Sequence, residues 1–104
     1  MRRWIICSVL AIAGVIALGA QNAPGFRPKD GFVPDQKTAI AVGEALLTPI
    51  YGEKQIVSER PFSARLDRDI WIVTGHLPDG WDGGVAEIRI RKSDATVLSV
   101  VHGK

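Results

Sequence analysis

The sequence predicts an α+β domain in which one helix packs on a four-stranded antiparallel meander. Three observations predict it. The last third of the chain holds three β-rich runs, Ile70-Trp71-Ile72-Val73, Val85 to Arg91 and Val97 to Lys104, separated by turn-forming residues. One stretch only, from Pro34 to Gly52, carries apolar residues at three- and four-residue spacing. Between these regions Phe62, Ala64 and Leu66 alternate with Ser63 and Arg65, the period of a half-buried strand.

The first element is not part of the fold. Met1-Arg2-Arg3 is basic, Trp4 to Leu18 is uncharged and apolar, and Ala17-Leu18-Gly19-Ala20 offers small residues before Gln21. This is the pattern of a signal peptide over residues 1–20, cleaved after Ala20. The alternative is an uncleaved anchor over residues 4–20, a little short for a span of ~20 residues. Either way the domain is expected to work outside the cytoplasm, periplasmic or secreted, with membrane contact only through this segment. Residues 21–33 hold Pro24, Gly25, Pro28 and Gly31 and show no hydrophobic period, so they read as a flexible linker to a domain over residues 34–104.

With 104 residues the chain holds one small domain. Without Arg2 and Arg3, Lys and Arg fall from 13 to 11 and equal the 11 Asp and Glu. A charge-balanced domain lacks the basic face that neutralises phosphates, so nucleic acid is not an expected partner. The single cysteine, Cys7, sits in the N-terminal segment, which leaves the domain without a thiol, a disulfide or a Cys-based metal site.

In the helix, Asp35 is placed to cap the first turn, where its charge also suits the positive end of the dipole. Ala39, Val42, Gly43, Leu46, Leu47 and Ile50 form one apolar stripe. Gly43 in mid-helix costs about 1 kcal/mol relative to Ala, which a close approach to the sheet would explain. Pro49 predicts a kink or an end near Leu47, with Gly52 as the stop. Glu53 to Arg60 reads as a connection. Asp67-Arg68-Asp69 turns the first strand into the second, whose two partly apolar faces predict a central position. In the third strand Ala86, Ile88 and Ile90 face inward. Lys92 to Thr96 turns the chain into the last strand, Val97 to His102.

No nucleophile context, metal-ligand spacing or cofactor motif is present. Ser58, Ser63, Ser93 and Ser99 lack a Gly-x-Ser-x-Gly setting. His76 and His102 fall on different strands without ligand spacing; either with Asp79 or Asp82 would be needed for an acid–base pair, and His76 with Asp79 is the pair an enzyme reading would use. The loop Asp79-Gly80-Trp81-Asp82-Gly83-Gly84 is acidic and glycine-rich but lacks the ligand count of a calcium loop. Two roles remain open for Trp81: anchor of a protein contact flanked by Asp79 and Asp82, or cap folded back on the core. Two also remain for Arg65, Arg89 and Arg91, which alternate along strands: a solvated face, or a docking face for an acidic partner.

Several segments in order resemble a family of small bacterial immunity proteins of polymorphic toxin systems. They are Phe32-Val33-Pro34-Asp35, Thr38-Ala39-Ile40-Ala41, Pro49-Ile50-Tyr51-Gly52-Glu53, Arg60-Pro61-Phe62, Asp69-Ile70-Trp71-Ile72-Val73-Thr74-Gly75, Gly83-Gly84-Val85-Ala86 and Val100-Val101-His102-Gly103-Lys104. The resemblance covers roughly Val33 to Lys104. It implies a nuclear transport factor two-like fold, for which a cystatin-like helix on a sheet is an equal description at this size. It also implies a cognate toxin as partner, neutralised by occlusion, with no catalysis and no cofactor. One departure stands out: the family often has Asp-Gly at its last hairpin turn, where this chain has Asp94-Ala95. The alternative function is a small-ligand-binding or structural envelope domain of the same fold.

Overall fold

The computed structural model of the chain describes residues 25–103. The expected signal peptide over 1–20 and the start of the expected linker lie outside them. Helix α1, Gln36–Tyr51, is followed by a short helix α2, Glu53–Ser58, and then by strands β1, Ser63–Asp67, β2, Ile70–Thr74, β3, Ala86–Arg91, and β4, Val97–His102. The four strands form one sheet in the order β1-β2-β3-β4, every neighbouring pair antiparallel. The predicted fold class and the central place of β2 are both as expected.

Asp35 caps α1, its carboxylate accepting the Thr38 N–H at 2.8 Å. The buried stripe of α1 is narrower than the sequence suggests. Ala39, Gly43 and Leu47 are buried, whereas Leu46 and Ile50 are exposed. The four-residue spacing of that stripe lays a thin edge of the helix along the sheet. At Gly43 the approach is close, as its placement in mid-helix suggests: a Cβ there would lie 2.9 Å from Val73 Cγ1 and 3.2 Å from Ile88 Cγ2.

The helix does not end near Leu47, one of the two outcomes that Pro49 predicts. The helix continues to Tyr51 and ends at Gly52, whose N–H donates to the Thr48 carbonyl at 2.8 Å. Pro49 withholds one donor, and the Ala45 carbonyl it would have served belongs to an exposed residue within reach of solvent. The connection from Glu53 is likewise more than a loop. It forms α2 and buries Ile56 in the core.

The core lies between α1 and one sheet face, where Ala64, Val73, Ile88 and Trp71, Ile90 sit side by side in register. Leu66, expected to point inward, is half-exposed because β1 is an edge strand. On the opposite, open face Ile72 is buried at 5 % exposure, although the helix is on the other side. Its register partners are Arg65 and Arg89, whose aliphatic stems flank it.

The end of the expected linker belongs to the packed unit. Val33 is fully buried and its carbonyl accepts the buried Trp71 indole N–H at 2.8 Å. The Phe32 and Val33 N–H groups donate to Ser93 and Lys92 carbonyls, at 3.2 and 3.1 Å. A buried indole needs an acceptor, and Val33 supplies it. The domain boundary drawn at residue 34 thus cuts through a set of sheet-end contacts.

The last hairpin keeps its turn despite the missing glycine. Ala95 takes φ 64°, its N–H donates to the Arg91 carbonyl, and the Arg91 N–H donates to Thr96, both at 2.8 Å. A register irregularity near Arg89 and Ile90 leaves Leu98 as the extra residue of β4.

Candidate functional site

The end of the sheet where β2 passes into β3 is built around a carboxylate. Glu59, directly after α2, is only 4 % exposed and is the one buried charged residue among those described. Its Oε1 accepts the Ala86 N–H at 2.6 Å, and its Oε2 accepts from Gln55 Nε2 at 2.8 Å and lies 2.9 Å from His102 Nε2. Its backbone carbonyl accepts the His76 N–H at 2.7 Å. The side chain therefore ties α2, the start of β3 and the end of β4, and the backbone carbonyl of the same residue adds the segment that follows β2.

Two glycines make room for this knot. A Cβ on Gly75 would run into the Glu59 carboxylate, and one on Gly84 would run into the backbone of Gly103. The His102 ring packs against Tyr51 at 5.0 Å between centroids. Its Nδ1 lies 2.8 Å from the Gly103 carbonyl. Both ring nitrogens thus face acceptors, an arrangement that only the doubly protonated, cationic ring satisfies in full.

The electrostatics agree with the geometry. Burial acts to raise the Glu59 pKa, but hydrogen bonds from Gln55, Ala86 and His102 outweigh it and hold the carboxylate below its ordinary value. His102 is raised, first by its hydrogen bond to Glu59 and then by that to Gly103. The signs set a window. Stabilisation from His102 is complete below its ordinary 6.5 and is lost as pH rises through the raised value. Stabilisation from Glu59 is complete above its ordinary 4.5 and is lost as pH falls through the lowered value. Melting temperature is therefore expected to be highest between these limits and to fall on the alkaline side. A His102→Gln variant, compared by thermal denaturation across a pH series, is expected to lose that alkaline slope. An unchanged slope would place the titration elsewhere.

Beside the knot lies a half-open cleft of ≈ 360 Å³, lined among others by Gln55, Ser58, Glu59, His76, Trp81 and His102. Trp81 and Asp82 stand at its border, and Asp79 lies outside its lining. Trp81 is 65 % exposed, which excludes the folded-back cap and leaves the ring presented to solvent. His76 lines the same cleft as His102, but no group of three metal-ligating side chains occurs among the described residues.

The six residues singled out by sequence fall on two surfaces. Asp79, Trp81 and Asp82 belong to the β2–β3 loop at the cleft. Arg65 and Arg89 flank Ile72 on the open face, and Arg91 lies one row further along, across from Ile70. Arg89 pairs with Glu87 at 3.3 Å and Arg91 with Asp94 at 2.9 Å. Sequence reasoning missed the Glu59–His102 pair. The two residues are 43 positions apart and Glu59 stands in no periodic pattern. The one signal was His102 itself, inside the closing motif that carries the family resemblance.

Comparison with known proteins adds one finding. Residues 38–104 match a family model described as NTF2 fold immunity protein. Neither the curated proteins nor the solved structures contain a match.

Proposed function

Because the chain belongs to the NTF2 fold immunity protein family, we propose that it is exported and neutralises a cognate polymorphic toxin by occlusion, without catalysis. The observation that carries this reading is the family match, which spans the helix, the sheet and the cleft. The geometry supports it in two ways. Trp81 presents a large aromatic surface on a loop, the residue type that most often anchors a protein interface. Both nitrogens of His102 are occupied, which removes the best-placed imidazole from acid–base work.

On this reading the loop supplies the anchor and the open-face arginines set specificity through charge. The test is co-purification of the native protein from the cell envelope, followed by co-expression with the toxin recovered. The wild type is expected to protect cells. Trp81→Ala is expected to weaken the complex by about 2 kcal/mol or more, roughly thirtyfold. Repeated purification that returns no toxin partner would overturn the proposal. Mass spectrometry of the native N-terminus tests export, with a chain starting at Gln21 as the expected result.

A second reading, a small-ligand-binding or structural envelope domain, draws on the cleft, whose ≈ 360 Å³ falls in the range of ligand pockets. Native mass spectrometry of the same material would reveal a retained small molecule and decide for it.

A further inference from the structure

We propose that the cleft beside the Glu59 knot is a guanidinium site, which takes one arginine side chain of the partner between the Trp81 ring and the Asp82 carboxylate. The proposal rests on the immunity reading for who the partner is, and on the hydrogen-bond inventory of the cleft for the chemistry of the side chain.

Most side-chain donors on the lining are already engaged. Gln55 gives an amide N–H to Glu59 at 2.8 Å, and Ser58 gives its hydroxyl to the Gln55 carbonyl at 2.6 Å. The two ring nitrogens of His102 face Glu59 and Gly103. What Gln55 and Ser58 keep is acceptor capacity, at Oε1 and at the lone pairs of Oγ. Asp82 adds an exposed carboxylate, and no ion pair among the described residues includes it. The neutral His76 ring brings one donor and one acceptor and leaves the balance unchanged.

Charge points the same way. Glu59 and His102 compensate each other within the knot, and no Lys or Arg is among the described residues of the lining. Asp82 is therefore the uncompensated charge at the cleft. An anion would be repelled by it. An apolar side chain would strip Asp82, Gln55 and Ser58 of water without replacing the lost hydrogen bonds.

Shape then selects among cations. Trp81 is exposed, and indole is the ring face that attracts a cation most strongly. Leu77 and Pro78, half-buried on the same lining, suit an aliphatic stem. A guanidinium is planar, so it stacks on an indole while its N–H groups reach a carboxylate and further acceptors. A lysine ammonium is a compact point charge with no flat face. Arginine is therefore the occupant that the lining fits.

The test is NMR titration of the full chain, as its host cell processes it, with Nα-acetyl-arginine amide and with Nα-acetyl-citrulline amide, which has the same shape without the charge. The arginine probe is expected to move the Trp81 indole and Asp82 amide signals along saturable curves, and to bind about tenfold more tightly than the citrulline probe. Asp82→Asn, on an exposed loop, is expected to keep the circular dichroism of the fold and bring the two probes to equal affinity. Asp67→Asn, at an exposed carboxylate of β1 outside the lining, is expected to leave the preference unchanged. Equal affinity of both probes for the wild type, or no saturable shift with either, would overturn the proposal. With the toxin recovered, Asp82→Asn is expected to weaken the complex about tenfold. A protective complex indifferent to that change would overturn the arginine site and leave the immunity reading standing. Arginine binding by a protein that returns no toxin would do the reverse.

Discussion

Glu59→Ala is expected to lower the unfolding free energy by about 3–5 kcal/mol, the cost of removing one partner from a buried charged pair. The loss has three parts. The Ala86 N–H at the start of β3 loses its acceptor, the cationic His102 loses its counter-ion, and Gln55 loses the oxygen that orients it. Small single domains have 5–15 kcal/mol in all, so the variant would sit near the limit of folding. Urea denaturation measures the effect through the midpoint at constant slope. Glu59→Gln keeps the volume and one acceptor and is expected to cost about 1–3 kcal/mol. A loss below 1 kcal/mol for the Ala variant would mean that water replaces the carboxylate and that the knot is peripheral to stability.

Gly43→Val is expected to cost about 3 kcal/mol or more, because overpacking adds to a β-branched residue's helix penalty. A single Cβ would already press on Val73 and Ile88, both of which are fully buried in the middle of the sheet. Neither neighbour can swing into solvent, so the helix must lift. Lifting it would expose Leu47 and Ala39, which share that contact. Gly43→Ala is the graded control: about 1 kcal/mol of helix propensity is returned and a smaller clash remains. Thermal denaturation of both variants should rank wild type above Ala and Ala above Val. An Ala variant much more stable than wild type would show that the contact relaxes freely and that Gly43 is not set by packing.

The sheet was legible because alternation survives in its strands. Ala86, Ile88 and Ile90 face the helix as their parity requires, and the doubly apolar β2 is interior. The parity of Arg65, Arg89 and Arg91 likewise places them on one face. Four features were not legible. Pro49 allows an end near Leu47, but its missing hydrogen bond falls where solvent can compensate. Helix α2 is too short to show a period, and Ile56 is its one buried residue. Val33 lies in a run rich in Pro and Gly, and what orders it is a hydrogen bond from Trp71, 38 residues away. Glu59 is a lone carboxylate whose partners come from three other elements, a relation that no local pattern encodes. The exposure of Trp81 was an open choice at the level of residue type, and the tertiary structure decides it.

The pairing of residues 31–33 with the β3–β4 turn has a practical consequence. The chain enters the sheet at the pole holding the Arg68 and Lys92 turns, whereas Gly103 leaves it beside the cleft, among the residues that line it. An affinity tag or fluorescent fusion added ahead of residue 25 would hang from the pole away from Trp81. The same addition after Lys104 would emerge next to Trp81 and obstruct it. Reagents for capturing whatever binds at that loop should therefore be attached on the N-terminal side of residue 25 but behind the expected cleavage site at Ala20.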